Sequence, residues 1–404
     1  MSGVPRGTLV QKLLIALASC LAVLAFLEAA AAVLLNRQDV KNTLAVDRYM
    51  DYDPRLGWTK RPGARVSIRT SEYAVDVTIN SRGLRGPERE YAKAARTFRV
   101  LALGDSFVEG YTVSLPQTVT AVLETDLRAE ACAIEGLNGG TAGYSTDQEY
   151  LFYEDEGSRY APDVVVLFFY FNDVLYNQRD HYADGDPKPL LVLNDQKLEL
   201  AEFPVPRRGS TTSREPPAVT QEPRHGSALL AWVRSRLRSG APRLYNSLAR
   251  LGLWAPVLRK HPPEELEVYR THASDEIRQA WERTGLIIQA LRDSVGRHGG
   301  RFLVAYVPSR MEVSDRDWRL TQFEYQMSER HFDRGEVLHR LQATLERAQV
   351  PLVDLTPALR REDRGILGGP YFTHDGHWNA LGHKTAASEI AAFLRRRGWV
   401  RCSP

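Results

Sequence analysis

The run Val164 to Phe171 reads VVVLFFYF, eight residues without polar alternation, and Asn172-Asp173 ends it abruptly. Such a run fits a strand covered on both faces, as strands are in a parallel α/β sheet. Four shorter runs repeat the pattern at Phe98 to Leu103, Ala133 to Leu137, 302–307 (FLVAYV) and 351–355 (PLVDL). Helical patterns lie between them. The clearest starts at Ser274, an N-cap residue followed by Asp275 and Glu276, and puts Ile277, Trp281, Ile288, Leu291 and Val295 on one face before Gly296. Another covers Asn379 to Arg397, with Ala386, Ile390, Phe393 and Leu394 as its stripe and Gly398 as its stop. Five parallel strands with crossover helices predict an α/β fold, a three-layer doubly wound sandwich of flavodoxin-like order.

In such a sheet, ligand sites form beyond the carboxyl ends of the strands. Four polar blocks occupy those ends or the segment that follows the last strand: Gly104-Asp105-Ser106-Phe107, Asn138 to Gly143 (NGGTAG), Asn172-Asp173, and Asp375-Gly376-His377-Trp378-Asn379. Asp and Gly stop a buried strand and turn the chain outward, which places Ser106 for chemistry. A serine hydroxyl is a weak nucleophile near neutral pH. An imidazole of pKa about 6.5, such as His377, is suited to take its proton. Read alone, the Gly-Asp-Ser tripeptide is an ordinary turn, and Asp375 and Asn379 read as caps of the helix that follows.

Taken in order, the four blocks resemble the SGNH, or GDSL, hydrolase superfamily, whose name-giving serine, glycine, asparagine and histidine map to Ser106, Gly143, Asn172 and His377. The resemblance implies an ester-cleaving or acyl-transferring serine enzyme without a G-x-S-x-G elbow, and the chain contains no such elbow. It further implies an oxyanion hole formed by the backbone N–H groups of Ser106 and Gly143 and the Asn172 side chain, with Asp375 orienting His377. Two departures stand out. Tyr170 fills the glycine slot of the third block, which narrows the pocket. The aspartate lies two residues before the histidine rather than three, where His374 stands; this Asp-x-His-Trp form resembles the branch that O-acetylates bacterial exopolysaccharides.

No cofactor is expected. Asn138 to Gly143 lacks the first glycine of a dinucleotide fingerprint. His374 and His383 flank His377, but no H-E-x-x-H or cysteine cluster accompanies them, so no metal is expected either. With 53 Lys plus Arg against 50 Asp plus Glu, the net charge of +3 offers no electrostatic case for nucleic acid. Cys20 lies in an apolar stretch; Cys132 and Cys402 remain, read as free thiols rather than a pair.

Leu13 to Leu35 forms a 23-residue apolar run whose single charge is Glu28. At 1.5 Å per residue it crosses a hydrocarbon layer of roughly 30 Å. Its length favours an uncleaved anchor over a signal peptide or a lipoprotein site at Cys20, with the polar remainder outside the cytoplasm. The expected organisation is then a cytoplasmic tip and transmembrane anchor (1–36), a β-rich collar (37–96), the first half of the core (97–178), an insertion (179–270) and the second half of the core (271–404). The collar is inferred from alternation in Tyr73 to Ile79 (YAVDVTI). The insertion is Pro-rich and charged, leaves the core beside the oxyanion residues, and holds an amphipathic piece at 228–253; it reads as a lid or acceptor surface, with 205–225 equally readable as a disordered loop.

Two function classes follow. One is a membrane-anchored esterase or O-acetyltransferase acting on acylated carbohydrate or a small ester. The other is a non-catalytic carbohydrate-binding relative, which Tyr170 keeps open. Oligomeric state is not legible.

Overall fold

The computed structural model describes residues 6–47, 49–70, 72–128, 133–183, 185–194, 197–207, 227, 229–230, 232–233, 236–237, 261–365, 368–373 and 375–401. His374, Cys132, Cys402, most of 208–260 and hence most of the amphipathic piece at 228–253 lie outside these residues. The chain divides into two compact units, 1–45 with 215–255, and 46–214 with 256–404.

In the first unit, helix α1 (Arg6–Asp47) carries the apolar run. Its segment Leu14–Ala32 is long and apolar enough to cross a membrane by length and composition. Leu14, Ile15, Leu24 and Phe26 are exposed along it. Glu28, the one charge, accepts hydrogen bonds from Ser227 Oγ (2.5 Å) and the Leu229 N–H (3.0 Å). The helix continues past residue 36, so 37–47 are helical and the collar's strands begin later than the alternation alone suggested.

The second unit opens with two antiparallel hairpins. Strands β1 (Met50–Asp53) and β2 (Gly57–Lys60) form the first, β3 (Arg65–Arg69) and β4 (Ala74–Thr78) the second. Alternation in β4 is realised, with Val75 and Val77 buried and Asp76 exposed. The core then runs β5 (Thr97–Leu103), α2 (Ser106–Glu109), α3 (Val119–Leu127), β6 (Ala133–Asn138), α4 (Thr146–Asp155), β7 (Val164–Tyr170) and α5 (Asp173–Tyr176). A hairpin of β8 (Leu191–Asn194) and β9 (Lys197–Leu200) stands inside the region read as insertion, and no sequence signal had separated it from loop. The core resumes with α6 (Asp275–Arg297), β10 (Arg301–Val307), α7 (Arg310–Val313), α8 (Asp315–Glu324), α9 (Glu336–Arg347), β11 (Leu352–Asp354), α10 (Thr356–Glu362) and α11 (Ala380–Arg396).

Five parallel strands form one sheet in the order β11-β10-β7-β5-β6. The order reverses between β5 and β7, which makes their carboxyl ends the switch point of a doubly wound sheet. Side chains alternate across the two faces. Leu101, Leu103, Val165, Leu167 and Phe169 pack with Tyr153 of α4 and Ile288 and Leu291 of α6. Val100, Ala102, Val166 and Phe168 pack with Leu123 of α3 and Ile390 and Leu394 of α11. Both faces are thus covered, the reason these strands read as continuous apolar runs.

The interruption in β5, Arg99, is only 1% exposed. Glu135 Oε2 accepts from its Nε (2.5 Å), and the carbonyls of Tyr91 and Tyr160 accept from its Nη1 (2.7 and 2.8 Å), so the buried charge is paired.

Caps follow the sequence closely. Ser274 Oγ accepts from the Ile277 N–H (3.3 Å) at the start of α6, and Asn379 Oδ1 accepts from the Leu381 and Gly382 N–H groups (2.9 and 3.2 Å) at the start of α11. Asp375, also read as a cap, does not serve α11. Nor does Gly296 end α6; the helix passes through it to Arg297, and Gly299 takes the left-handed conformation that turns the chain away (φ 79°).

Candidate active site

Ser106 starts α2 directly beyond β5. Asp105 caps this short helix by accepting from the Phe107 N–H (2.8 Å), so the serine is set by local geometry alone. Asp105 is buried, and burial pushes its carboxyl up to about 6, opposed by the Phe107 N–H and the nearby His377. Phe107 packs against His377 (ring centroids 4.9 Å), Tyr170 (4.8 Å) and Trp378 (5.1 Å), which ties the nucleophile turn to the histidine loop.

His377 lies 271 positions from Ser106, yet its Nε2 is 2.7 Å from Ser106 Oγ. Asp375 Oδ1 lies 2.5 Å from His377 Nδ1. Burial opposes charge on the imidazole, but the hydrogen bond and charge of Asp375, helped by Asp105 and Glu109, outweigh it and hold His377 above its usual 6.5. Asp375 is displaced the other way: burial raises its carboxyl, and the His377 contacts with a hydrogen bond from Tyr73 pull it below the ordinary range. Ser106, His377 and Asp375 thus form a hydrogen-bonded relay, the arrangement that deprotonates a hydroxyl during attack on a carbonyl.

A cleft of about 200 Å³ opens over the relay, lined among others by Ser106, His377, Asp375, Asn172, Tyr170 and Tyr182. Asn172 follows β7, and its Oδ1 has no hydrogen-bond partner. An oxygen so occupied leaves the amide N–H groups as the donors a reacting oxyanion needs. Tyr170 forms part of the wall, as expected of a bulky residue in the glycine slot. Gly143 is not among the cleft's lining residues; it sits behind Tyr182 at φ 78°, where a Cβ would fall 3.2 Å from Trp58 Cζ2.

The collar holds this glycine loop. Trp58 Nε1 donates to the Ala142 carbonyl (3.0 Å), and Lys60 Nζ donates to Thr141 Oγ1 (2.6 Å) and to the Gly140 carbonyl. Glu109 Oε2 accepts from the Ala142 N–H (2.7 Å), and Glu109 Oε1 accepts from the Tyr49 hydroxyl (2.5 Å). Burial lowers Lys60 to about 8, opposed by the charge of Glu109. Trp58, Lys60 and Tyr182 had no signal in the sequence beyond their type, because their partners lie some 80 or more positions away.

His383 turns out to be structural. It is buried on α11, its Nδ1 accepts from the Val119 N–H (3.2 Å), and burial with the nearby Arg85 and His377 charges lowers it to about 3. Among the described residues no group of three or more His, Cys, Asp or Glu is placed to hold a metal ion.

Residues 267–403 match a family model described as an SGNH hydrolase-like domain, acetyltransferase AlgX. That span contains Asp375 and His377. Among solved structures, the chain is similar to a lipase/acylhydrolase from Enterococcus faecalis (12% identity, 76% of this chain and 99% of that chain, TM-score 0.36). It is also similar to an acetyl xylan esterase (14% identity, 74% and 100%, TM-score 0.34) and to a variant of an acetyl-xylooligosaccharide esterase from Geobacillus (13% identity, 77% and 100%, TM-score 0.37). No curated protein matches the sequence. A doubly wound sheet with an SGNH hydrolase-like domain defines a protein of the hydrolase or acyltransferase class that handles acyl esters. The chain belongs to the SGNH hydrolase superfamily.

Proposed function

We propose that this protein cleaves O-acyl esters, acetyl esters foremost, of cell-envelope or exopolysaccharide carbohydrate through an acyl-enzyme on Ser106. The observation that carries the reading is the continuous relay Ser106–His377–Asp375, with contacts of 2.7 and 2.5 Å at the mouth of a cleft. Ser106 Oγ attacks the ester carbonyl while its proton passes to His377 Nε2. Asn172 Nδ2 and the N–H groups of Ser106 and Gly143 take up the oxyanion. Collapse breaks the C–O bond, and His377 returns the proton to the leaving sugar hydroxyl. Water then attacks the acyl-serine, His377 takes its proton, and the acid departs with Ser106 restored.

A second reading is supported by the match of 267–403 to an acetyltransferase domain: the same acyl-serine would pass its acetyl group to a sugar hydroxyl instead of water. The relay argues against a purely carbohydrate-binding role, which has no need of a serine poised on a histidine. Helix α1 supplies a membrane anchor in this reading, with the catalytic unit outside the cytoplasm, where envelope polysaccharide lies.

Full-length protein in detergent is expected to release p-nitrophenol from its acetate, and Ser106→Ala is expected to lose at least about 10⁴-fold in kcat. Added oligosaccharide separates the two readings: acetylated sugar appears for a transferase and free acetate alone for an esterase. Retention of activity by Ser106→Ala would overturn both.

A further inference from the structure

The second collar hairpin reaches into the active-site loop. Its tip is a tight turn: the Thr70 N–H donates to the Tyr73 carbonyl (2.9 Å), while Thr70 Oγ1 accepts from the N–H groups of Glu72 and Tyr73 (3.1 Å each). Strand β4 behind it is anchored by buried Val75 and Val77. From this tip, Glu72 accepts from the loop's backbone, Oε1 from the Thr373 N–H (2.7 Å) and Oε2 from the Asp375 N–H (2.8 Å). Tyr73 packs on Phe372 (ring centroids 5.1 Å), and its hydroxyl donates to Asp375 Oδ2 (2.8 Å).

Each oxygen of Asp375 is therefore assigned. Oδ1 serves His377 and Oδ2 serves Tyr73. The carboxylate plane is fixed by a partner on either side, so its rotation away from the imidazole breaks the Tyr73 bond as well. Burial and the Asp375 charge push the Tyr73 hydroxyl above its ordinary value, which keeps it a proton donor throughout the working pH range.

We infer that Tyr73 is a positioning residue of the reaction, acting through Asp375, and that the β3–β4 hairpin, with Glu72 clamping the loop backbone, is a functional part of the active site rather than an appendage. The inference rests on the Ser106 mechanism proposed above. A collar residue would thereby set how well the catalytic histidine is aligned, with no contact of its own to substrate.

The test is a double-mutant cycle in the full-length protein on p-nitrophenyl acetate. Tyr73→Phe keeps the ring on Phe372 and removes only the donor, so melting temperature should hold within a few degrees. It should lower kcat about tenfold and leave KM within about twofold. In an Asp375→Asn background the same substitution should change kcat by less than about twofold, because the residue it acts through is already disabled. An equal loss in both backgrounds would mean a general structural role and would sink the inference, as would an unchanged kcat in Tyr73→Phe. Those outcomes are distinct from failure of the mechanism itself, which Ser106→Ala reports.

Discussion

The nucleophile and the residues that serve it are held in opposite ways. Ser106 is fixed by its own neighbours: β5 ends, Asp105 caps, α2 begins. The loops bearing Gly143 and Asp375 are fixed from outside the sheet, the first by Trp58 and Lys60 of the β1–β2 hairpin, the second by Glu72 and Tyr73 at the tip of the β3–β4 hairpin. The contrast teaches that the parallel sheet delivers the serine and the collar tunes everything around it. One element is built by local turn chemistry and the other by contacts spanning some 80 to 300 positions.

The comparison breaks most sharply at Asp375. Asp375→Asn should reduce kcat by about 10⁴-fold with folding intact, since it removes the group that selects the His377 tautomer. It should also move the pH profile. His377 is held above 6.5 chiefly by Asp375, against burial, so wild-type activity falls as pH drops through that raised value and the imidazole takes up a proton. Without the carboxylate the acidic limb should shift to lower pH. A kcat/KM profile with the same limb in both proteins would show that Asp375 does not govern His377.

The next effect concerns the oxyanion side. Asn172→Ala should cost about 10²- to 10³-fold in kcat, the loss typical of one oxyanion donor, with little change in stability. If kcat is unaltered, the amide does not face the developing charge.

The smallest effect is expected from the collar's grip on the glycine loop. Lys60→Met removes charge-assisted hydrogen bonds to the Gly140 carbonyl and Thr141 Oγ1, and unfolding in urea should register a loss of about 1.5 to 3 kcal/mol. Unchanged stability would mean that the hairpin merely covers the loop, and the division of labour between sheet and collar would dissolve on that side.

Much of the core was legible because both faces of the sheet are buried. Strands 98–103, 133–137, 164–171, 302–307 and 351–355 each appear within a residue or two, and Ser274, Asn379 and Gly398 act as the caps and stop their types suggest. Helix α6 overran Gly296 because one glycine costs a 23-residue amphipathic helix only about 1 kcal/mol, less than its buried stripe returns. The β8–β9 hairpin was illegible for the opposite reason: its strands are four residues each, with exposed, charged sides, and carry too little pattern to stand out from a polar loop.

For the site, the four polar blocks could be placed at strand ends and in the late Asp-x-His loop, and their side chains could be matched to acyl-transfer chemistry, from the sequence alone. Hydrophobic periodicity and turn residues are local signals, and they determined the α/β sheet, its covering helices and the outward turn at Ser106. What only the tertiary structure decided is the mutual placement: Ser106 against His377 across 271 positions, Tyr182 over Gly143, and Glu72 and Tyr73 on the Asp375 loop. These contacts join polar atoms whose partners share no spacing or period along the chain. Hydrogen bonds of 2.5 to 3.0 Å depend on where separate elements pack, and packing is a property of the folded whole.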